Sequence, residues 1–115
     1  MKITNLSKKT ILASNCLIAK NPLTRMIGLL GRKGLKSGEG LVLKPCNSIH
    51  SLFMNFPIDV LFIDRNNKVV EVIQGFKPWR FSPLYWRSHL VIELPCGIVK
   101  TSKTLPGDIV TMSSL

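Results

Sequence analysis

The chain has 115 residues, 45% of them apolar, which bounds it to one domain with a genuine core and excludes a disordered tail or a staple-dependent mini-protein. No apolar run reaches the roughly 18–20 residues of a membrane span, and the N-terminal stretch "MKITNLSKKTILAS" lacks the apolar core of a signal peptide, so a cytoplasmic location is expected. The net charge of +10 is uneven: residues 1–38 carry eight basic side chains and no acid, and the rest eight basic against six acidic. Such a one-sided field attracts polyanions such as nucleic acid or anionic lipid.

In chain order, "KITNL" and "TILASNCLIA" are expected to be two strands, the second with Ile11, Ala13, Asn15, Leu17 and Ala19 on one face. "NPLTRMIGLLGRKG" is the clearest helix signal. Asn21 caps, Pro22 takes the first helical position, and Leu23, Met26, Ile27 and Leu30 form one apolar stripe. Gly31 supplies the stop, and Arg32 and Lys33 suit the negative end of the dipole. "GLVLKP" gives a short strand. "PIDVLFID" (57–64) is apolar on both faces, the pattern of a strand covered on both sides. Asn66-Asn67 turns the chain, and "KVVEVIQGF" returns with Val70, Val72 and Phe76 inward. "LVIELP" is another strand, residues 97–104 hold a short helical turn, and Pro106-Gly107 precedes the closing strand "IVTM". The expected architecture is mainly β: a small sandwich or barrel-like domain of about seven short strands with one amphipathic helix packed on it.

These segments together resemble a known family. "RMIGLLGRKGL" (25–35), "CNSIHSLFMNFPIDVLFID" (46–64), "KPWRFSP" (77–83), "LVIELPCG" (90–97) and "PGD" (106–108) are similar to domain-of-unknown-function family 192, over almost the whole chain. The resemblance implies a mainly-β, sandwich-like domain with a helix against it. It implies no activity and supplies no catalytic residues. Members of the family often carry an export signal, which is not seen here.

Three places could carry chemistry. Cys46, His50 and Met54 recur every four residues and offer thiolate, imidazole and thioether, a soft set suited to Cu(I) more than to zinc. Lining of a core strand is the simpler reading, so neither metal nor cofactor is expected. Asp59 begins a strand otherwise apolar on both faces, so its carboxylate needs a partner: backbone amides, His50, Arg25 or Arg32. The structural reading is an anchor for a loop or helix end. The functional one pairs Asp59 with His50 as acid and base, with Cys46 as nucleophile. The third place is the loop "KPWRFSPLYWRS" (77–88), long for so small a domain. Trp79, Phe81, Tyr85 and Trp86 either stack on a ligand, with Arg80 and Arg87 reading phosphate or carboxylate, or fold back to plug the core; Tyr85 and Trp86 are the expected exposed pair. The three cysteines, Cys16, Cys46 and Cys96, are expected to be reduced core side chains.

The leading expectation is a binding domain whose groove lies between the 46–59 segment and the loop 77–88, with Met54, Trp79, Arg80, Tyr85, Trp86 and Arg87 contacting a protein, a glycan or another anionic ligand. The alternatives are a small hydrolase or transferase using His50, Asp59 and Cys46, and a basic nucleic-acid adaptor carried by residues 1–38.

Overall fold

A computed structural model describes residues 1–19, 34–52 and 54–113. They form eight strands: β1 (Lys2–Asn5), β2 (Thr10–Ala13), β3 (Asn15–Ala19), β4 (Glu39–Leu43), β5 (Ile58–Ile63), β6 (Val69–Phe76), β7 (Leu90–Pro95) and β8 (Val110–Ser113). One short helix, α1 (Ile98–Ser102), lies between β7 and β8. The expected helix from Asn21 to Lys33, with Arg25 and Arg32, lies outside the described residues.

The strands make two sheets, ordered β2-β1-β8 and β3-β4-β7-β5-β6. Only β3 and β4 pair in parallel among these neighbours. The sandwich alternative therefore holds and the barrel does not. One face of the larger sheet packs on the smaller sheet and α1, through Val42, Leu61, Ile63, Ile92 and Leu94 against Ile3, Leu12, Val99 and Val110. The other face, with Leu41, Leu43, Ile58, Val60, Phe62 and Val91, is covered by Ile49, Met54 and Phe56 from the segment before β5. All six residues of β5 are buried, as expected for a strand covered on both sides. At Gly40 a side chain would not fit without displacement: a Cβ there would meet Ala13, Cys16 and Leu94 at 3.2 Å each.

Two local expectations are corrected. "TILASNCLIA" is not one strand but two, in different sheets. The amides of Ser14 and Asn15 both donate to the Gly38 carbonyl at 2.9 Å, and the chain bends there from one layer into the other. The alternation expected for β6 also breaks. Val72 packs toward the smaller sheet, whereas Val70, Ile73 and Phe76 face the opposite layer. The cause is irregular pairing with β5, which includes a bulge at Gly75, left-handed with φ of 61°.

A buried polar knot ties the smaller sheet to the Leu105–Asp108 turn. Asn5 donates to Asp108 at 3.0 Å and to Thr104 at 2.9 Å, and Lys8 reaches Asp108 at 2.8 Å. Burial alone would raise the Asp108 carboxyl. Hydrogen bonds from Asn5, Lys8 and the Leu105 amide, with the Lys8 charge, outweigh it and hold the group below its ordinary value. A depressed carboxyl contributes stability that is complete above the unfolded value of about 3.9 and is lost as pH falls through the folded value. Urea midpoints measured down the acid limb should therefore fall more steeply for the native chain than for Asp108→Asn; parallel curves would remove the linkage.

Candidate functional site

Asp59 is wholly buried, and its partners are backbone amides. One oxygen accepts from Gly75 at 2.9 Å; the other accepts from Gly97 at 3.0 Å and Val99 at 2.9 Å. The carboxylate thus closes the bulge of β6 and caps the start of α1, where the helix supplies no capping side chain of its own. It faces the same layer as Leu61 and Ile63. His50 belongs to the segment that covers the opposite face, where it bridges to Phe81 with ring centroids 6.2 Å apart. The structure does not bring His50 and Asp59 together.

Cys46, His50 and Met54 also diverge in setting. Met54 is buried in the core of that face, Cys46 is half-buried with its thiol donating to the Ser48 carbonyl at 3.0 Å, and His50 accepts from the Leu52 amide through Nδ1 at 3.3 Å. Among the described residues no three His, Cys, Asp or Glu side chains cluster as a metal would require. Of the cysteines Cys16 is buried in the core and Cys46 packs half-buried against it. Burial pushes the Cys16 thiol up to about 11 against the pull of the N-terminal charge. Cys96, between Pro95 and Gly97 past the end of β7, is exposed, contrary to expectation.

The aromatic loop divides. Tyr85 is not exposed as expected; its ring packs on Phe62 at 4.4 Å, on the core face. Trp79, Phe81 and Trp86 stand out, Trp86 at 83% exposure. Residues 79–85 are laced to 47–51 by backbone hydrogen bonds of 2.9 Å: Trp79 and Ser51, Ser51 and Arg80, Ser82 and Ile49, Tyr85 and Asn47. Ser51 tightens the seam by donating to the Lys77 carbonyl at 2.6 Å. Along this length the two segments are hydrogen-bonded to one another.

The β5–β6 turn adjoins the two segments at one end. There a cleft of about 600 Å³ is walled by Pro45–Asn47, by the β5–β6 turn at Asp64–Asn66 and by Trp86–His89. Its walls are fixed by the main chain: Cys46 donates to the His89 carbonyl at 2.9 Å, His89 to Ile63 at 2.7 Å, and the Ser88 hydroxyl to Cys46 at 3.0 Å. Asp64 is turned into its own loop, accepting from the Asn66 and Lys68 amides at 2.8 and 3.0 Å. Burial lowers the His89 imidazole, and the charges of Arg65 and Lys44 lower it further. Arg65 and Arg87 outnumber Asp64 on the walls, so this end is cationic.

The pattern of the family DUF192, described as "Uncharacterized ACR", matches residues 3–112. The chain belongs to this family. An UPF0127 protein of Pyrococcus horikoshii is 35% identical over 109 residues, covering 92% of this chain and 94% of that protein. Another, from Pyrococcus furiosus, is 34% identical over 93 residues, covering 78% and 79%. The fold recurs in a protein of unknown function from Novosphingobium aromaticivorans, with a TM-score of 0.80 and 20% identity over 96% of this chain and 82% of that one. It recurs again in a putative transcription regulator from Sinorhizobium meliloti, with a TM-score of 0.77 and 21% identity over 96% and 89%.

Sequence reasoning reached Cys46, Trp86 and Arg87 of the cleft and missed Lys44, Arg65 and His89. Those three sit singly at the ends of different strands, and only the fold assembles them. Glu93 was missed for another reason. It is fully buried in the middle strand β7, flanked by Leu41 and Val60 on the face opposite Asp59. The signal that marked Asp59, one acid in an apolar strand, is equally present in "LVIELP".

Proposed function

We propose that this member of the family is a small binding module that takes an anionic ligand in the cleft between Pro45–Asn47, Asp64–Asn66 and Trp86–His89. The observation that carries the reading is the cavity itself, about 600 Å³, with Arg65, Arg87 and His89 on its walls and Lys44 close enough to act on His89. An arginine fork suits phosphate or carboxylate oxygens, and Trp86 offers a ring face to a flat ligand. A hydrolase built on His50 and Asp59 is not favoured, since Asp59 is committed to three amides and His50 lies on the other side of the sheet.

Titration of the native chain with adenosine monophosphate, followed by Trp fluorescence and amide NMR shifts, tests this. Shifts should concentrate at Arg65, Trp86, Arg87 and His89. Arg65→Ala combined with Arg87→Ala should weaken binding at least about tenfold, since one charge-assisted hydrogen bond contributes roughly 1.5–3 kcal/mol. An anion beside His89 favours its protonated form, so binding takes up a proton and tightens as pH falls through the imidazole's range. His89→Gln should flatten that dependence. Millimolar adenosine monophosphate and inorganic phosphate that both leave these amides unmoved would refute the reading.

A further inference from the structure

We propose that the 77–87 loop docks this domain on the surface of an anionic phospholipid bilayer, a contact that shares Trp86 and Arg87 with the cleft and stands on Lys77, Trp79, Arg80, Phe81 and Leu84 outside it. Trp79 is 54% exposed, Phe81 72%, Leu84 44% and Trp86 83%, four large apolar side chains within eight residues. Single exposed apolar residues are ordinary; a run of this kind on one loop marks an interaction surface. Lys77, Arg80 and Arg87, all exposed, punctuate the run.

The charge of the surroundings indicates the partner. No Asp or Glu occurs between Val72 and Ile92, nor between Gly40 and Ile58, the two stretches that are laced together here. The exposed cations Lys77, Arg80 and Arg87 outnumber the nearby acids, Asp64 on the cleft wall and Glu71 close enough to act on Tyr85, so this part of the molecule favours a negative surface. Phosphate headgroups meet the Lys and Arg ends, and the rings and Leu84 enter the boundary below them, the depth that tryptophan prefers.

The loop is also held ready. Its hydrogen bonds to residues 47–51 and the seating of Tyr85 on Phe62 fix the backbone, so docking orders little chain. A single-stranded nucleic acid also selects rings and cations, but it uses flat ring faces. Leu84 and Pro83 have none, and Phe81 already lies beside the His50 ring. The bilayer accounts for the whole run; base stacking accounts for part of it. Among the described residues no helix is long and apolar enough to cross a membrane, so the contact is with one leaflet.

The test uses the full chain with vesicles of equal parts phosphatidylglycerol and phosphatidylcholine, against vesicles of phosphatidylcholine alone. The expected result is co-sedimentation with the anionic vesicles only, quenching of Trp fluorescence by brominated acyl chains, and weakening with added salt. Phe81→Ser with Leu84→Ser should lower affinity at least about tenfold with an unchanged urea midpoint, because both side chains are exposed. Lys77→Gln and Arg80→Gln together, neither of which lines the cleft, should lower it roughly thirtyfold at the usual strength of a juxtamembrane cation. Three outcomes would overturn the proposal: no binding to the anionic vesicles at low salt; binding that the Phe81 and Leu84 replacements leave unchanged, which is mere adsorption of a basic protein; or oligothymidylate bound more tightly than the vesicles through the same side chains.

Discussion

Asp59→Ala should destabilise the fold by about 3–5 kcal/mol, read as a fall in the urea midpoint at unchanged slope. The substitution leaves the amides of Gly75, Gly97 and Val99 without the oxygen they now donate to. Two of those amides begin α1, which is too short to persist without an acceptor at its start. Hydrogen exchange should therefore accelerate first at Gly97, Val99 and Gly75, ahead of the strand interiors. Asp59→Asn retains one acceptor oxygen and turns an amide group toward donors, so it should fall between the native chain and alanine. A change within about 0.5 kcal/mol for Asp59→Ala, the range of an ordinary surface replacement, would mean that the carboxylate does not hold the helix.

Phe62→Ala should cost a similar amount, about 3–5 kcal/mol, as a large ring leaves a fully packed site. Its second consequence separates it from a generic core deletion. Tyr85 rests on that ring at 4.4 Å, and Tyr85 anchors the loop next to Trp86. Loss of the pair should broaden the NMR signals of Trp86 and Arg87 and weaken anion binding in the cleft. A double-mutant cycle with Tyr85→Leu should return a coupling of about 0.5–1.5 kcal/mol. Strictly additive losses would leave the loop's position independent of the core.

The sheet strands with strong local character were legible in the sequence. "PIDVLFID" and "LVIELP" are apolar on two faces, and the positions they occupy in the larger sheet require that. The break inside "TILASNCLIA" was not legible, because alternation runs unbroken through Ser14 and the bend comes from a carbonyl at Gly38, far along the chain. The phase change in β6 was hidden for a related reason: the valines are ordinary, and the register depends on two irregularities against β5, one at Val70 opposite Phe62–Ile63 and one at Gly75. At the candidate site, the need of Asp59 for a partner was visible, and backbone amides were among the choices. Residue types alone could not show that α1 would supply them. The loop's composition pointed to Trp86 and Arg87, but not to the cleft beside residues 45–47, where Arg65 and His89 meet them.

The pairing of Ile3 with Met112 has a consequence for biosynthesis. As the ribosome delivers the polypeptide, β1 emerges before the six strands β2 to β7 and its lasting neighbour β8 after them, so one border of the small sheet stays open meanwhile. A circularly permuted gene that fuses these two strands through a short linker and opens instead at the Ser14 bend between β2 and β3 would turn the most distant partnership into a hairpin, leave the β5–β6 and β5–β7 pairings as they are, lower the contact order and speed folding.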